Sequence, residues 1–250
     1  MAATTIGVSL KTYFGHQQAQ KWMASVATRI TAHPGVISGR VRVFVIPTYL
    51  QIPATVCAFR TTPVLIGAQD VSEHEPGAYT GEVTAAELTE VGVQVVEIGH
   101  AERRRLFGET DATTAAKAAI SLRHGLTPVL CLGETEPGDP STAAATTVAQ
   151  LRSGLAAAPP GPVIVAYEPV WAIGAPQPAP VQHITTVTLA VRAALAADPQ
   201  RPESAVIYGG SAGPGLLSQL GTRVDGLFLG RFAHNVDDFE SILTEAAGAR

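Results

Sequence analysis

Eight short apolar runs rich in β-branched residues recur along the chain, spaced about thirty residues apart, with helix-like stretches between them. The runs cover residues 6–10, 41–46, 64–68, 93–98, 127–132, 163–167, 205–208 and 226–229. Between them, 17–30 carries Ala19, Trp22, Met23, Val26, Ala27 and Ile30 on one helical face. Residues 111–124 open beside Thr and Asp and stop at Gly125, start and stop signals in the expected order. Residues 141–157, 181–197, 214–220 and 236–247 read the same way, the last capped by Asn235 with Asp237 and Asp238 in its first turn. Eight strand-then-helix units in 250 residues is the period and size of a closed (β/α)8 barrel. A doubly wound open sheet needs fewer strands and a glycine-rich first turn, yet Ser9-Leu10-Lys11-Thr12 occupies that turn. The Pro176-Gln177-Pro178-Ala179-Pro180 patch is too short to divide the chain, so the expectation is one barrel over residues 1–250.

A core of that size needs no disulfide or metal to hold it. Hydrophobic residues make up 46% of the chain and charged residues 15%, which fits an extensive interior. The net charge is −4 with no basic block and few aromatics, which argues against nucleic-acid binding. Cys57 and Cys131 have no metal-ligand spacing and read as buried free thiols in a reducing compartment. Lys11 interrupts the N-terminus early, so no signal peptide is read, and no run approaches the ~18 apolar residues of a membrane span. The expected setting is the cytoplasm, without a membrane.

In a barrel of this kind the strand ends carry the chemistry. Glu168 stands where the sixth run gives way to a loop, and Pro169 and Trp171 beside it make an ordered hinge more plausible than a plain connector. Three lysines are present; Lys21 and Lys117 fall within helices and read as solvated, whereas Lys11 opens a loop and suits an anionic ligand. His100 precedes a charged turn, where a helix N-terminus disfavours the imidazolium and leaves a neutral ring. Tyr208-Gly209-Gly210-Ser211 and Leu229-Gly230-Arg231 follow runs seven and eight, where backbone amides commonly hold phosphate.

Taken in order and spacing, Lys11, His100-Ala101-Glu102-Arg103-Arg104, Cys131-Leu132-Gly133-Glu134, Tyr167-Glu168-Pro169-Val170-Trp171 and Tyr208-Gly209-Gly210-Ser211 resemble the triosephosphate isomerase family. The likeness runs from about residue 5 to the C-terminal helix, and Gly77-Ala78-Tyr79-Thr80-Gly81-Glu82 resembles that family's dimer-interface loop. The resemblance implies a single TIM barrel and proton transfer between adjacent carbons of a small phosphorylated sugar. The roles it implies follow the worked example of pKa tuning known for that family. Glu168 is the implied base, neutral His100 the electrophile, Lys11 a fixed cation, and Glu102 the group that orients it. Ser9, Lys11, Gly174, Ser211, Gly230 and Arg231 are the implied substrate contacts. Pro169, Val170, Trp171, Ala172, Ile173, Ala175 and Pro176 form the implied lid, which carries Gly174. Thr80 is implied to reach a neighbouring subunit in a homodimer. No metal or organic cofactor is implied, and the family's usual setting is glycolysis and gluconeogenesis.

The departures fall within the site. Ser9 stands where the family has Asn, leaving room for water or a larger ligand, and Ala101 replaces a Ser whose hydroxyl holds the base at rest. Pro176 replaces a lid residue whose amide bonds the serine at 211, so that bond is expected to be lost. Arg231 replaces a glycine, and its guanidinium is expected either to clamp an anion or to fill part of the pocket. The leading expectation is interconversion of dihydroxyacetone phosphate and D-glyceraldehyde 3-phosphate. The alternative is isomerisation of a four-carbon ketose phosphate such as erythrulose phosphate, for which Ser9 and Arg231 speak. A non-catalytic sugar-phosphate-binding barrel is the third.

Overall fold

The computed structural model describes residues 3–249. β1 (Thr4–Ser9) leads to α1 (His16–Ala32) and α2 (Pro34–Ile37), β2 (Val41–Ile46) to α3 (Ile52–Phe59), and β3 (Leu65–Ala68) to α4 (Ala85–Glu90). β4 (Val95–Ile98) is followed by α5 (Ala101–Phe107) and α6 (Asp111–Arg123), β5 (Thr127–Leu132) by α7 (Pro140–Leu155), and β6 (Ile164–Tyr167) by α8 (Val181–Ala196). β7 (Ala205–Tyr208) precedes α9 (Leu216–Leu220), and β8 (Gly226–Leu229) precedes α10 (Val236–Gly248). The strands are parallel and in sequence order, and β8 closes on β1 with Val8 beside Leu229.

Parallel strands buried on both faces read as continuous apolar runs, which is why the runs stood out in the sequence. Successive side chains then divide by parity. Phe44, Ile46, Val95, Val129, Ile164, Ile207 and Phe228 fill the barrel's interior. Ile6, Val8, Val43, Val45, Val96 and Ile98 point outward and pack with Trp22, Met23 and their helical neighbours. Each such buried side chain contributes roughly 1.5–3 kcal/mol.

The longer helices match their expected spans closely, and their caps explain where they start. Asn235 Oδ1 accepts from the amides of Asp237 and Asp238, and Asp139 caps α7 through Thr142 N. The short helices α2, α3 and α4 went unread because four to eight residues barely repeat a 3.6-residue pattern.

Two expectations are corrected. Cys57 is exposed, on the outer side of α3, and only Cys131 is buried. Lys117 is not solvated: α6 turns it inward, where its Nζ lies 2.7 Å from Asp70 Oδ1 and 3.0 Å from Glu109 Oε2. Arg103 binds the same two acids, at 2.7 Å to Asp70 and 3.0 Å to Glu109. Burial alone raises the Glu109 carboxyl, but Lys117, the Gly99 amide and Arg103 outweigh it and hold the group below its usual range. Asp70 stays above its usual range, chiefly through burial. The cluster bears on the site because Glu109 Oε1 accepts from Gly99 N at 2.7 Å while Arg104 Nε donates to Gly99 O at 2.9 Å. The turn that presents His100 is thereby fixed from both sides.

Candidate active site

The carboxyl ends of the strands open on a cavity of about 680 Å³, a size that suits a small ligand. Ser9, Lys11, His100, Glu168, Ser211 and Arg231 all line it.

β1 ends at Ser9, and Lys11 follows in a left-handed conformation with φ 48°. A residue with a Cβ holds that conformation at a cost on the order of 1 kcal/mol, and such strain collects at functional sites. The side chain of Gln69 donates to Lys11 O at 2.9 Å and so braces the turn. Lys11 Nζ lies 2.8 Å from Glu102 Oε1. Burial works against the ammonium, but the Glu102 hydrogen bond and the charges of Glu168, Glu102 and Glu97 more than offset it, and the group titrates above its usual value. Burial likewise opposes the Glu102 charge, and Lys11 reverses that, leaving the carboxyl below its usual range.

His100 caps α5, and its Nδ1 accepts from Glu102 N at 3.1 Å. A ring nitrogen that accepts carries no proton, so the N–H of a neutral ring is on Nε2 and faces the cavity. Nε2 lies 3.6 Å from Glu168 Oε2 and 3.9 Å from Glu97 Oε1.

Glu168 follows β6 directly, its amide bonded to Leu132 O at 2.7 Å. Its carboxylate rests on Gly209, where an added Cβ would come within 2.5 Å of Oε1. Gly133 plays the same part for the Glu168 backbone, so neither glycine can carry a side chain without displacing the carboxylate. Oε2 is buried and has no hydrogen-bond partner among the described residues. Its neighbour-by-resemblance at 101 is an alanine and has no hydroxyl to offer.

The segment after Glu168 lies down over the cavity. At its start Trp171 Nε1 donates to Glu134 Oε1 at 2.9 Å, Tyr167 Oη donates to the same carboxylate, and His183 Nε2 lies 2.9 Å from it. Val170 N reaches Glu134 O at 2.9 Å. At its end Ala179 N donates to Tyr208 Oη at 3.0 Å, and that hydroxyl donates to Gly210 O at 2.9 Å.

The bond expected to be lost at Pro176 has a substitute. Ser211, itself at φ 54°, turns its hydroxyl into a donor shared between Ala175 O at 2.6 Å and Ala172 O at 3.1 Å. Arg231 Nη2 donates to Gly174 O at 3.1 Å, so the guanidinium holds the loop that carries Gly174. Thr80 is apart from this group, exposed on the loop between β3 and α4, where the tip is shaped by stacking of His74 on Tyr79.

Sequence reasoning named the residues at strand ends and missed the ones that reach them from elsewhere. Glu134 and His183 anchor the segment after Glu168, yet only Glu134 lies in a motif, and nothing in the sequence joins them. Glu97 left a visible signal that went unused, a carboxylate inside an apolar run. It is buried, accepts from Ser9 Oγ at 2.7 Å and titrates above its usual range, through burial first and the Glu168 charge second.

Carboxylate, imidazole and ammonium converge at one end of a closed barrel, under a loop and beside glycine-rich turns, which is the layout of a β/α-barrel enzyme working by proton transfer on an anionic substrate. The sequence profile of triosephosphate isomerase matches residues 4–246. The chain belongs to the triosephosphate isomerase family and is an isomerase of phosphorylated sugars. It is 48% identical to the L-erythrulose-1-phosphate isomerase of Pectobacterium atrosepticum, over 97% of this chain and 95% of that one. It is 40% identical to the triosephosphate isomerase of Leifsonia xyli, over 82% and 83% of the two chains. A second L-erythrulose-1-phosphate isomerase, from Rhizobium etli, is 37% identical over 84% and 81%. Among the described residues no helix is long and apolar enough to cross a membrane.

Proposed function

We propose that this protein isomerises a four-carbon ketose phosphate of the erythrulose 1-phosphate type through an enediolate, without a cofactor. The observation that carries the reading is the convergence of Glu168, His100 and Lys11 beneath the lid, with Ser9 leaving the adjoining wall open. The 48% identity to an erythrulose-phosphate isomerase over nearly the whole chain favours the four-carbon substrate. The triose reading, with its place in glycolysis and gluconeogenesis, is the second, favoured by the 40% identity to a triosephosphate isomerase.

In such a ketose the carbon bearing phosphate has no hydroxyl to oxidise, so the carbonyl moves from C2 to C3. Glu168 takes the C3 proton; the C–H pair becomes the C2=C3 bond and the carbonyl pair moves onto O2. His100 Nε2–H and the Lys11 ammonium face that oxygen and stabilise its charge, being oriented before the charge develops. His100 gives its proton to O2 and recovers one from O3. The O3 pair then forms the new carbonyl as Glu168 returns its proton to C2. Glu102 positions Lys11. Amides at Gly174, Ser211, Gly230 and Arg231 receive the phosphate, and closure of the 169–176 lid removes water from Glu168. The active form is a cytoplasmic homodimer, with Thr80 reaching toward Lys11 and His100 of a second copy.

Initial rates with erythrulose 1-phosphate and with dihydroxyacetone phosphate test the assignment. The four-carbon substrate should be favoured by at least about tenfold in kcat/KM. A preference for the triose overturns the first reading in favour of the second. Inertness toward both, with sugar-phosphate binding retained, overturns both in favour of a binding barrel.

A further inference from the structure

Among the described residues, the barrel interior beneath the cavity is mostly apolar. Phe44, Ile46, Cys131 and Phe228 face inward there, and among them Glu97 extends a carboxyl from β4. Parity puts it there: Val95, two residues back, belongs to the interior, whereas Val96 and Ile98 face the helices. Its partner, Ser9, is on β1, with β2 and β3 between the two strands, so the 2.7 Å bond from Ser9 Oγ to Glu97 Oε2 spans the interior rather than joining neighbours.

Only one of the two carboxyl oxygens is used. Among the described residues none donates to Glu97 Oε1, which lies 3.9 Å from His100 Nε2, beside the reacting centre. Burying a carboxyl among apolar side chains is costly, the Ser9 bond answers only one of its oxygens, and the proton transfer itself makes no use of the group. The Ser9 hydroxyl spends its hydrogen on Glu97 and keeps a lone pair for another donor. Position supplies the direction. In a closed ring of eight strands β4 stands opposite β8, and β7 and β8 carry the glycine turns proposed for phosphate. A substrate held by its phosphate there and reacting between Glu168 and His100 directs its far end at β4. A three-carbon substrate ends at the reacting carbons. A four-carbon one adds a hydroxymethyl group beyond them.

We propose that Ser9 and Glu97 form a hydroxyl-binding subsite at the cavity floor that receives the terminal hydroxymethyl of a four-carbon sugar phosphate. The inference rests on the isomerase reading above and names the residues that set its substrate length. The substrate hydroxyl bonds to Ser9 Oγ and to Glu97 Oε1. Burial, which pushes the Glu97 carboxyl toward its neutral form, equips it to donate as well as accept.

The test compares E97V, E97Q and S9A with the unaltered protein. Two measurements are made: kcat/KM for the four- and three-carbon substrates, and inhibition constants of erythritol 4-phosphate and glycerol 3-phosphate, which bind without reacting. E97V should lower the four-to-three-carbon ratio at least about tenfold, mainly through KM, because the lost contact is made equally before and during reaction. E97Q, which keeps a donor and an acceptor, should restore the ratio to within about threefold of the original. Should E97V fail to fold, S9A carries the test, with a loss of about fivefold in the same ratio. A purely structural Glu97 would lower kcat for both substrates in parallel, and an unchanged ratio in S9A and in folded E97V overturns the subsite. If the unaltered protein turns over neither substrate, the isomerase reading fails while the inhibitors still decide. A preference for erythritol 4-phosphate that disappears in E97V supports the subsite, and no preference in the unaltered protein overturns it.

Discussion

At the scale of single residues, the site depends on charges held where water does not answer them. Glu168→Gln keeps the shape and removes the base, so turnover should fall at least about 10³-fold while a phosphate analogue binds within about tenfold; turnover near the original rate would remove Glu168 from the mechanism. The Lys11–Glu102 pair gives a pH prediction with a definite sign. Glu102 sits below its ordinary carboxylate value, so its contribution to stability is present above about pH 4.3 and is lost as pH falls through the lowered value. Lys11 sits above its ordinary value, so its contribution is present below about pH 10.4 and is lost as pH rises through the raised one. Glu102→Gln removes the strongest interaction favouring the ammonium, so the Lys11 value should fall. The alkaline limb of the pH–rate profile should move to lower pH; no movement would show that Lys11 does not govern that limb. Lys11, His100 and Glu168 were legible in the sequence because each stands within two residues of the end of an apolar run. The charge cluster around Lys117 was not, since Asp70 comes from the loop after β3 and Glu109 from the turn between α5 and α6, and no spacing in the sequence joins them. Lys117→Met strands two buried carboxylates with one arginine, and the expected loss is about 3 kcal/mol in urea denaturation.

At the scale of elements, strands were read to within about two residues, whereas the hydrogen bonds of the segment 169–176 were not read. A strand buried on both faces announces itself by composition, whereas a hydrogen bond's direction does not. Pro176 was correctly expected to remove a donor, but the sequence gives no sign that Ser211 would turn its hydroxyl toward the lid's carbonyls or that Arg231 would reach Gly174. These contacts make the lid a testable unit. Ser211→Ala deletes the shared bond, worth about 0.5–1.5 kcal/mol, and should lower kcat/KM by roughly 3- to 10-fold. Arg231→Gly should lower it as well, by a smaller factor because the guanidinium is exposed. A gain on restoring glycine at 231 would mean that the arginine hinders closure instead of aiding it.

At the scale of the whole molecule, the closed ring of strands explains why residues as distant as Ser9, His100, Glu168 and Arg231 share one cavity: each follows or ends a strand, and all strands run the same way. The same topology places four exposed apolar side chains on segments that leave the carboxyl ends of the strands. Tyr13, Leu50, Tyr79 and Phe107 are exposed on the segments that follow β1, β2, β3 and β4, while Ile37 and Val91 are exposed at the ends of α2 and α4. Exposed groups of that size argue for a protein partner, and the loop carrying Thr80 bears one of them. If that partner is a second copy, sedimentation equilibrium should give about twice the 25.9 kDa of one chain, as expected for an isologous pair. Thr80→Arg changes an exposed residue and should leave the fold's thermal midpoint nearly in place. It should nonetheless reduce the mass to that of one chain and lower turnover, because the loops bearing Lys11 and His100 lose their support. Full activity at the single-chain mass would separate catalysis from association and leave Thr80 without a part in the site.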